Sequence, residues 1–226
     1  GIGASVLYDA AHMAGMIAGK RFQQPLAEGA HLMTMSTYKA FGGPPSGLVL
    51  TTERDLAEKL DRIAYPGLTA NFDLGKTAAL AVSALDLLEH GEAYANRCIS
   101  NALALASALE SNGIAVHRAT GRPYTESHHL AIPALPHGGG QTASKHLALA
   151  NLLLCGIGLP LPPVDGDLNG IRIGTQEVTR FGMEEAAMSE IAAFLARVLI
   201  KKEAPERVRP DVAAFRKKFQ QLRYVR

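Results

Sequence analysis

The sequence predicts an α/β fold. Short apolar segments, one of them alternating, suit strands, longer segments with apolar residues three or four positions apart suit helices, and the two kinds alternate along the chain. Of the 226 residues, 47% are apolar and 19% are charged, which is typical of a folded globular chain rather than a disordered one. We therefore expect an apolar core of useful size.

The first third of the chain predicts three strands. Residues 5–8 form a short apolar run that ends at Asp9, and residues 30–37 alternate between apolar and polar side chains. Residues 48–52 predict the third strand, directly after a tight turn rich in glycine and proline at residues 42–47.

Helices are predicted next. Residues 53–63 carry apolar side chains on one face, and residues 65–71 read as a loop. Residues 73–89 and 91–112 predict two long helices, the second of which stops at Asn112-Gly113.

The remainder of the chain predicts a smaller α/β region. Strands are expected at residues 114–117, 129–132 and 171–174, and helices at residues 141–154, 183–199 and 211–222. Thr142 suits the N-cap of the first of these helices, and Phe215 and Phe219 form a packing stripe on the last. We divide the chain into domains at 1–90 and 91–200, followed by a basic extension at 201–226.

Composition excludes several classes of function. A net charge of +2 gives no strong field for nucleic acid, and no apolar run reaches the roughly 20 residues of a membrane span. Cys98 and Cys155 form no CxxC pair, which favours a reducing compartment, and we expect a cytoplasmic protein. The histidines show no metal-ligand spacing, so no metal site is expected.

One group of residues could carry chemistry. Asp9 and His12 follow one predicted strand, whereas Ser36, Thr37 and Lys39 follow the next. In parallel α/β sheets the carboxyl ends of strands bind ligands, and a lysine there can bond covalently to an aldehyde cofactor. An acid can pair with a pyridinium nitrogen, and the two hydroxyls can bind a phosphate. Spacing alone leaves equally open that Asp9 caps the next segment and that Lys39 is a solvated surface lysine.

The chain resembles the serine hydroxymethyltransferase family, fold-type-I enzymes that use pyridoxal phosphate (PLP). The resemblance begins with Tyr8-Asp-Ala-Ala-His and Ser36-Thr-Tyr-Lys-Ala-Phe-Gly-Gly-Pro. It continues through Tyr65-Pro-Gly, Glu126-Ser-His-His and Gly170-Ile-Arg-Ile-Gly-Thr, in the same order, over residues 1–199. It implies that residues 1–90 are the C-terminal part of the large PLP-binding domain and that residues 91–200 are the small domain.

The resemblance also implies roles for individual residues. Lys39 would bind PLP covalently, Asp9 would pair with its ring nitrogen, and His12 would contact its phenolic oxygen or the substrate. Arg172 would bind the substrate carboxylate, which suits its planar, two-pronged donor. The other cofactor contacts implied are Ser36, Tyr38, Gly67 and Thr69, the last two through a neighbouring subunit of a homodimer or higher oligomer.

The expected activity is hydroxymethyl transfer from serine, or from a related β-hydroxy amino acid, to tetrahydrofolate. Three features depart from the family: Tyr38 stands where histidine is usual, residues 68–72 lack a run of glycines, and residues 155–160 lack the folate-binding asparagine. A folate-independent aldolase or transaldolase is therefore an alternative, as is a non-catalytic fragment. The family's N-terminal half has no counterpart here, so we expect a partner segment to supply it.

Overall fold

The computed structural model describes residues 3–226, which form two compact units. The first unit contains residues 3–96 and 224–226, and the second contains residues 97–223. The division falls within a helix, and residues 201–223 belong to the second unit. The mixed α/β class predicted from the sequence is confirmed.

The first unit is built around a three-stranded sheet. Its strands are β1 (Leu7–Asp9), β2 (Leu32–Ser36) and β3 (Gly47–Leu50), in that order across the sheet. Strand β1 runs parallel to β2 with Asp9 opposite Thr34, whereas β3 runs antiparallel to β2. Met33 and Met35 are buried because alternate residues of a strand face the same side. All three strands predicted for this region are confirmed.

The first unit also contains two helices and the N-terminal part of a long third helix. The short helix α1 (Ala14–Ala18) was not predicted, and α2 (Arg54–Arg62) confirms the predicted amphipathic helix. An irregular turn at Ile63–Leu68, with a cis bond between Tyr65 and Pro66, follows α2.

Helix α3 (Leu74–Ser111) is a single helix of 38 residues, where the sequence predicted two. Gly91 does not end it, although glycine is a poor helix former. A Cβ atom on Gly19 of the segment after α1 would lie 2.4 Å from the Gly91 oxygen. The chain therefore approaches the α3 backbone closely here, and this packing outweighs the weak local preference.

The second unit contains an antiparallel sheet of β4 (His129–Pro133), β5 (Cys155–Ile157) and β6 (Gly170–Gly174), in the order β4-β6-β5. The strand predicted at 114–117 is wrong, since that segment joins neither sheet, although the His117 amide donates to the Ala131 carbonyl at 2.8 Å. Its apolar pattern reflects burial of Ile114 and Val116 rather than sheet pairing.

The second unit also contains α4 (Gly140–Ala148), α5 (Gln176–Arg180), α6 (Glu185–Leu199) and α7 (Pro205–Arg216), and α3 contributes Ala102, Leu105 and Leu109 to the same core. The predicted N-cap at Thr142 is wrong, because Gly139 occupies that position. The Asp167 carboxylate instead accepts the backbone amides of Gln141 and Thr142, both at 2.9 Å. The apolar side chains between sheet and helices include Ile132, Leu147, Ile171, Met188 and Leu195.

Helix α7 begins before the predicted basic helix and packs on α6. Val208, Val212 and Phe215 are buried, and the Phe215 ring lies 5.6 Å from Phe194 and 5.2 Å from Phe219. Both aromatic side chains therefore pack as predicted, but α7 ends at Arg216, so the helix predicted to 222 is too long and Phe219 packs from beyond its end. Within residues 3–226, no helix combines the length and the apolar character that a membrane crossing requires.

Candidate active site

Two parallel strands bring Asp9, Ser36 and Lys39, three of the predicted site residues, to one edge of the first sheet. Asp9 is the last residue of β1, and Ser36 is the last residue of β2. Because β1 and β2 are parallel, their carboxyl ends lie at the same edge. Lys39 lies three residues beyond β2, in the turn that leads into β3.

His12 and Lys39 approach each other at this edge. The Nζ atom of Lys39 lies 3.4 Å from the Nε2 atom of His12, and both residues are half-buried. His12 lies in the turn between β1 and α1, so the two side chains come from different segments of the chain. At this separation the amine and the imidazole form a long hydrogen bond, which brings the two nitrogens to the same place at the sheet edge.

Asp9 presents its carboxylate at the end of β1. Its Oδ1 atom accepts the amide of Ala11 at 2.9 Å, which fixes the direction of the group. This bond closes the turn after β1 and does not cap α1, whose N-cap is Met13, and a carboxylate has further acceptor positions for a ligand. Burial, and then the charge of Glu28, raises the pKa of the neighbouring Tyr8, so Tyr8 adds no negative charge beside Asp9 at neutral pH.

Thr37 does not serve as the phosphate ligand that the sequence suggested. It is fully buried, and its single hydroxyl proton is shared between the carbonyl oxygens of Pro44, at 2.5 Å, and Ser46, at 2.9 Å. These bonds hold the turn between β2 and β3 closed. Ser36 is half-buried and Tyr38 is exposed, so hydroxyls at this edge remain for an anionic group.

Gly67 and Thr69 lie on a separate exposed loop after α2. The amide and hydroxyl of Thr69 both bind the Ala64 carbonyl, at 3.0 and 2.6 Å. In this conformation those two donors shape the loop itself, so a phosphate contact from Thr69 requires the loop to rearrange.

Arg172 belongs to the second unit. It lies in the middle of β6, opposite Ala131 of β4 and Cys155 of β5, and it is half-buried. The loop after β5 is held by Asn169, whose Nδ2 atom donates to the carbonyls of Leu159 and Leu161 at 2.9 and 2.8 Å. The departure from the family at 155–160 therefore lies in a well-anchored segment.

Gly15 is a site residue that sequence reasoning missed. A Cβ atom at this position would lie 2.2 Å from the carbonyl oxygen of Ala40, the residue after Lys39. Helix α1 therefore packs directly on the turn that carries the lysine. The signal in the sequence is Gly15 within α1 and Gly19 directly after it, because glycine permits close backbone approach.

These residues fit PLP chemically. An amine suits the aldehyde of the cofactor, a carboxylate suits its ring nitrogen, and an imidazole suits its phenolic oxygen. Gly42 has a φ of 81°, a conformation that lets the turn fold back within four residues of Lys39. The first unit thus supplies the donor set at one edge.

A family model described as serine hydroxymethyltransferase matches residues 1–195. The chain is 48% identical over 225 residues to an alpha-methylserine aldolase of Ralstonia sp, covering 100% of this chain and 51% of that protein. It is 44% identical over 227 residues to a serine hydroxymethyltransferase of Methanopyrus kandleri, covering 99% of this chain and 52% of that protein. The chain thus spans about half the length of these relatives.

The fold of this chain is also similar to that of a solved structure. The L-threonine transaldolase from Pseudomonas fluorescens, in its internal aldimine state, superimposes with a TM-score of 0.89 at 26% identity. The superposition covers 100% of this chain and 51% of the transaldolase chain.

Proposed function

The chain belongs to the serine hydroxymethyltransferase family, and from that premise we propose that it forms part of a PLP-dependent enzyme that cleaves the Cα–Cβ bond of a β-hydroxy amino acid. The observation that carries the proposal is the approach of Lys39 Nζ to His12 Nε2, 3.4 Å apart, at the sheet edge where Asp9 ends β1.

Each side chain of the candidate site is assigned one role, which its charge or its proton-binding group permits. PLP, when bound, supplies an electron sink for the carbanion left by bond cleavage. The carboxylate of Asp9 would stabilise a positive charge on the ring nitrogen, and Lys39 would provide the amine that holds the cofactor. His12, beside Lys39, would donate or accept a proton at the phenolic oxygen or the substrate, and the Arg172 guanidinium would bind the substrate carboxylate.

The carbon unit released by the cleavage has two alternative fates: it is transferred to tetrahydrofolate, or it leaves as a free aldehyde. Release is favoured by the alpha-methylserine aldolases among the relatives and by the absence of asparagine in residues 155–160. We therefore place a folate-independent aldolase or transaldolase ahead of one-carbon transfer. A non-catalytic fragment remains the third candidate.

We further propose that a partner segment completes this enzyme. The chain spans about half of its relatives, and the resemblance assigns to the other half the phosphate cup, the ring-stacking group and a proton-handling glutamate. A homodimer in the cytoplasm fits this proposal, with the exposed loop around Gly67 and Thr69 extending to a second copy.

The first experiment tests the covalent lysine. The purified chain is mixed with PLP, reduced with borohydride and digested, and the labelled peptide is mapped. We expect the label on Lys39, its loss in Lys39→Ala, and its retention in Lys76→Ala, which removes an exposed lysine of the same unit. Label on the Lys39→Ala chain would contradict the assignment.

The second experiment separates the two fates. Serine and α-methylserine are incubated with the PLP-loaded chain, together with any N-terminal partner, with and without tetrahydrofolate. Formaldehyde released without tetrahydrofolate supports the aldolase, whereas cleavage that requires tetrahydrofolate supports hydroxymethyl transfer. Cofactor binding without cleavage of either amino acid would favour the non-catalytic fragment.

A further inference from the structure

The segment Tyr224–Arg226 is part of the first unit, far from it in sequence. The Arg226 guanidinium binds α3 at three places: Nε lies 3.2 Å from the Asp86 carboxylate, and Nη2 lies 3.0 Å from the Leu85 carbonyl and 2.9 Å from the Glu89 carboxylate. The Arg226 backbone amide also donates to Asp86 at 3.2 Å. Because Asp86 is buried, these bonds give the segment a defined position.

Tyr224 extends this attachment to Tyr94. The two rings lie 5.6 Å apart at an angle of 52°. Tyr224 has a φ of 62°, which is unusual for a residue with a side chain and shows that the packing holds its backbone in place. The segment thus covers the part of α3 that contains Tyr94.

Tyr94 in turn binds the turn that carries the candidate cofactor lysine. Its ring is fully buried, and its hydroxyl donates to the Ala40 carbonyl at 3.1 Å. The same carbonyl also lies against Gly15, where no side chain fits. The peptide group between Ala40 and Phe41 is therefore in contact with both α1 and α3.

We infer that Tyr94 is a positioning residue for Lys39, and that Tyr224–Arg226 hold Tyr94 in place. We call this packing of Tyr224–Arg226 on α3 the brace. Asp86 binds Arg226, and Tyr224, two residues before Arg226, packs on Tyr94. The Tyr94 hydroxyl then binds the Ala40 carbonyl, next to Lys39. A buried carbonyl that loses its donor becomes unsatisfied, so removal of one hydroxyl loosens the turn. The importance of this position for cofactor binding rests on the proposed function, but the brace itself does not.

The test compares Tyr94→Phe with Tyr124→Phe in the full chain. Both variants remove one phenolic hydroxyl, and that of Tyr124 donates to Glu110 within the second unit. Hydrogen exchange is measured by mass spectrometry, without cofactor, on peptides that cover residues 37–43. We expect exchange there to become about tenfold faster in Tyr94→Phe, because an unsatisfied carbonyl favours opening. Tyr124→Phe is expected to match the wild type.

Arg226→Ala provides a second, milder variant, because it leaves Tyr94 intact. We expect exchange at residues 37–43 to rise roughly threefold in this variant. Unchanged exchange there in Tyr94→Phe, or in Arg226→Ala if Tyr94→Phe does not fold, would overturn the inference. An equal rise in Tyr124→Phe would overturn it too.

A cofactor readout separates this inference from the proposed function. The PLP concentration that gives half-maximal borohydride labelling of Lys39 is measured for the same variants. We expect it to rise in Tyr94→Phe and Arg226→Ala and to stay constant in Tyr124→Phe. If the wild type takes no label at Lys39, the proposed function fails. The hydrogen-exchange measurement still shows whether Tyr94 and Arg226 hold residues 37–43 in place, because it needs no cofactor.

Discussion

At Gly15 the absence of a side chain lets α1 touch the Lys39 turn. A Cβ atom would meet the Ala40 oxygen at 2.2 Å, which is backbone and cannot swing away. We expect Gly15→Ala to destabilise the chain by about 2 kcal/mol, as overpacked sites do. Urea unfolding checks this, with Gly47→Ala as the control, because a Cβ atom there lies 3.8 Å from its nearest neighbour. Equal stability of the two variants would contradict the packing.

Two neighbouring hydroxyls on the same turn are expected to behave differently. Thr37→Val leaves the Pro44 carbonyl without its hydroxyl donor, whereas the Ser46 carbonyl keeps the Thr37 amide, and should cost about 1–3 kcal/mol of unfolding free energy. Ser36→Ala removes a half-buried hydroxyl and should leave stability nearly unchanged while weakening PLP binding. Urea unfolding and PLP titration of both variants distinguish these roles. A loss of stability in Ser36→Ala with none in Thr37→Val would reverse the assignment.

The sequence could predict the placement of Asp9 and Lys39, because each follows a strand whose pattern is clear and parallel strands end at one edge. It could not predict the burial of Thr37 or the position of Tyr94. Both depend on contacts between residues far apart in the chain, and hydroxyl-bearing residues look alike in sequence whether they face a ligand or a carbonyl.

At the scale of elements, α4 depends on an acid remote in sequence. Hydrogen bonds from the Thr142 amide and hydroxyl, and then from the Gln141 amide, hold the pKa of Asp167 well below its usual range. A carboxyl with a depressed pKa in the folded state stabilises the fold above its unfolded pKa, about 4. That stabilisation is lost as the pH falls through the folded value.

We therefore expect Asp167→Ala to lower the urea midpoint at pH 7, and we expect the deficit to shrink as the pH falls below about 4. Asp165→Ala, which removes an exposed acid of the same loop, serves as the control. A deficit that is the same at pH 7 and pH 3 would show that the charge of Asp167 does not act through the cap.

The local sequence pattern predicted most helices and strands, but it did not predict where α4 begins or that α3 is continuous. The strands of the first unit and the helices α2 and α6 carry strong periodicity, and each formed where expected. The continuity of α3 depends on Gly91 packing against Gly19, and the start of α4 depends on Asp167. Tertiary packing decides such features, so local propensity cannot show them.

At the scale of the whole molecule, the first unit exposes large apolar side chains. Leu68 and Phe72, between α2 and α3, are 81% and 74% exposed, and Leu74 and Leu88 of α3 are also exposed. A surface of this kind favours association. The sequence predicted the helices here, but periodicity alone did not show that their apolar residues face outward.

We expect the chain to self-associate at micromolar concentration, and we expect the double variant Leu68→Ser with Phe72→Ser to shift it toward the monomer. Neither side chain is buried within the chain, so folding should be preserved. Sedimentation velocity measures the shift, and Leu153→Ser, which changes a leucine of the second unit that is 84% exposed, is the matched control. An equal shift in the control would show that the association is not confined to this surface.

The Asn169 anchor has a consequence for chemical ageing. Asparagine followed by glycine loses its side-chain amide when the glycine nitrogen attacks it, and this chain has such pairs at Asn112-Gly113 and Asn169-Gly170. Asn112 is exposed at the end of α3, where an added charge meets water. At Asn169 the same loss would replace a donor by a carboxylate facing the carbonyls of Leu159, Leu161 and Pro162. Deamidation is thus tolerable at the first pair, whereas at the second it would release the loop after β5.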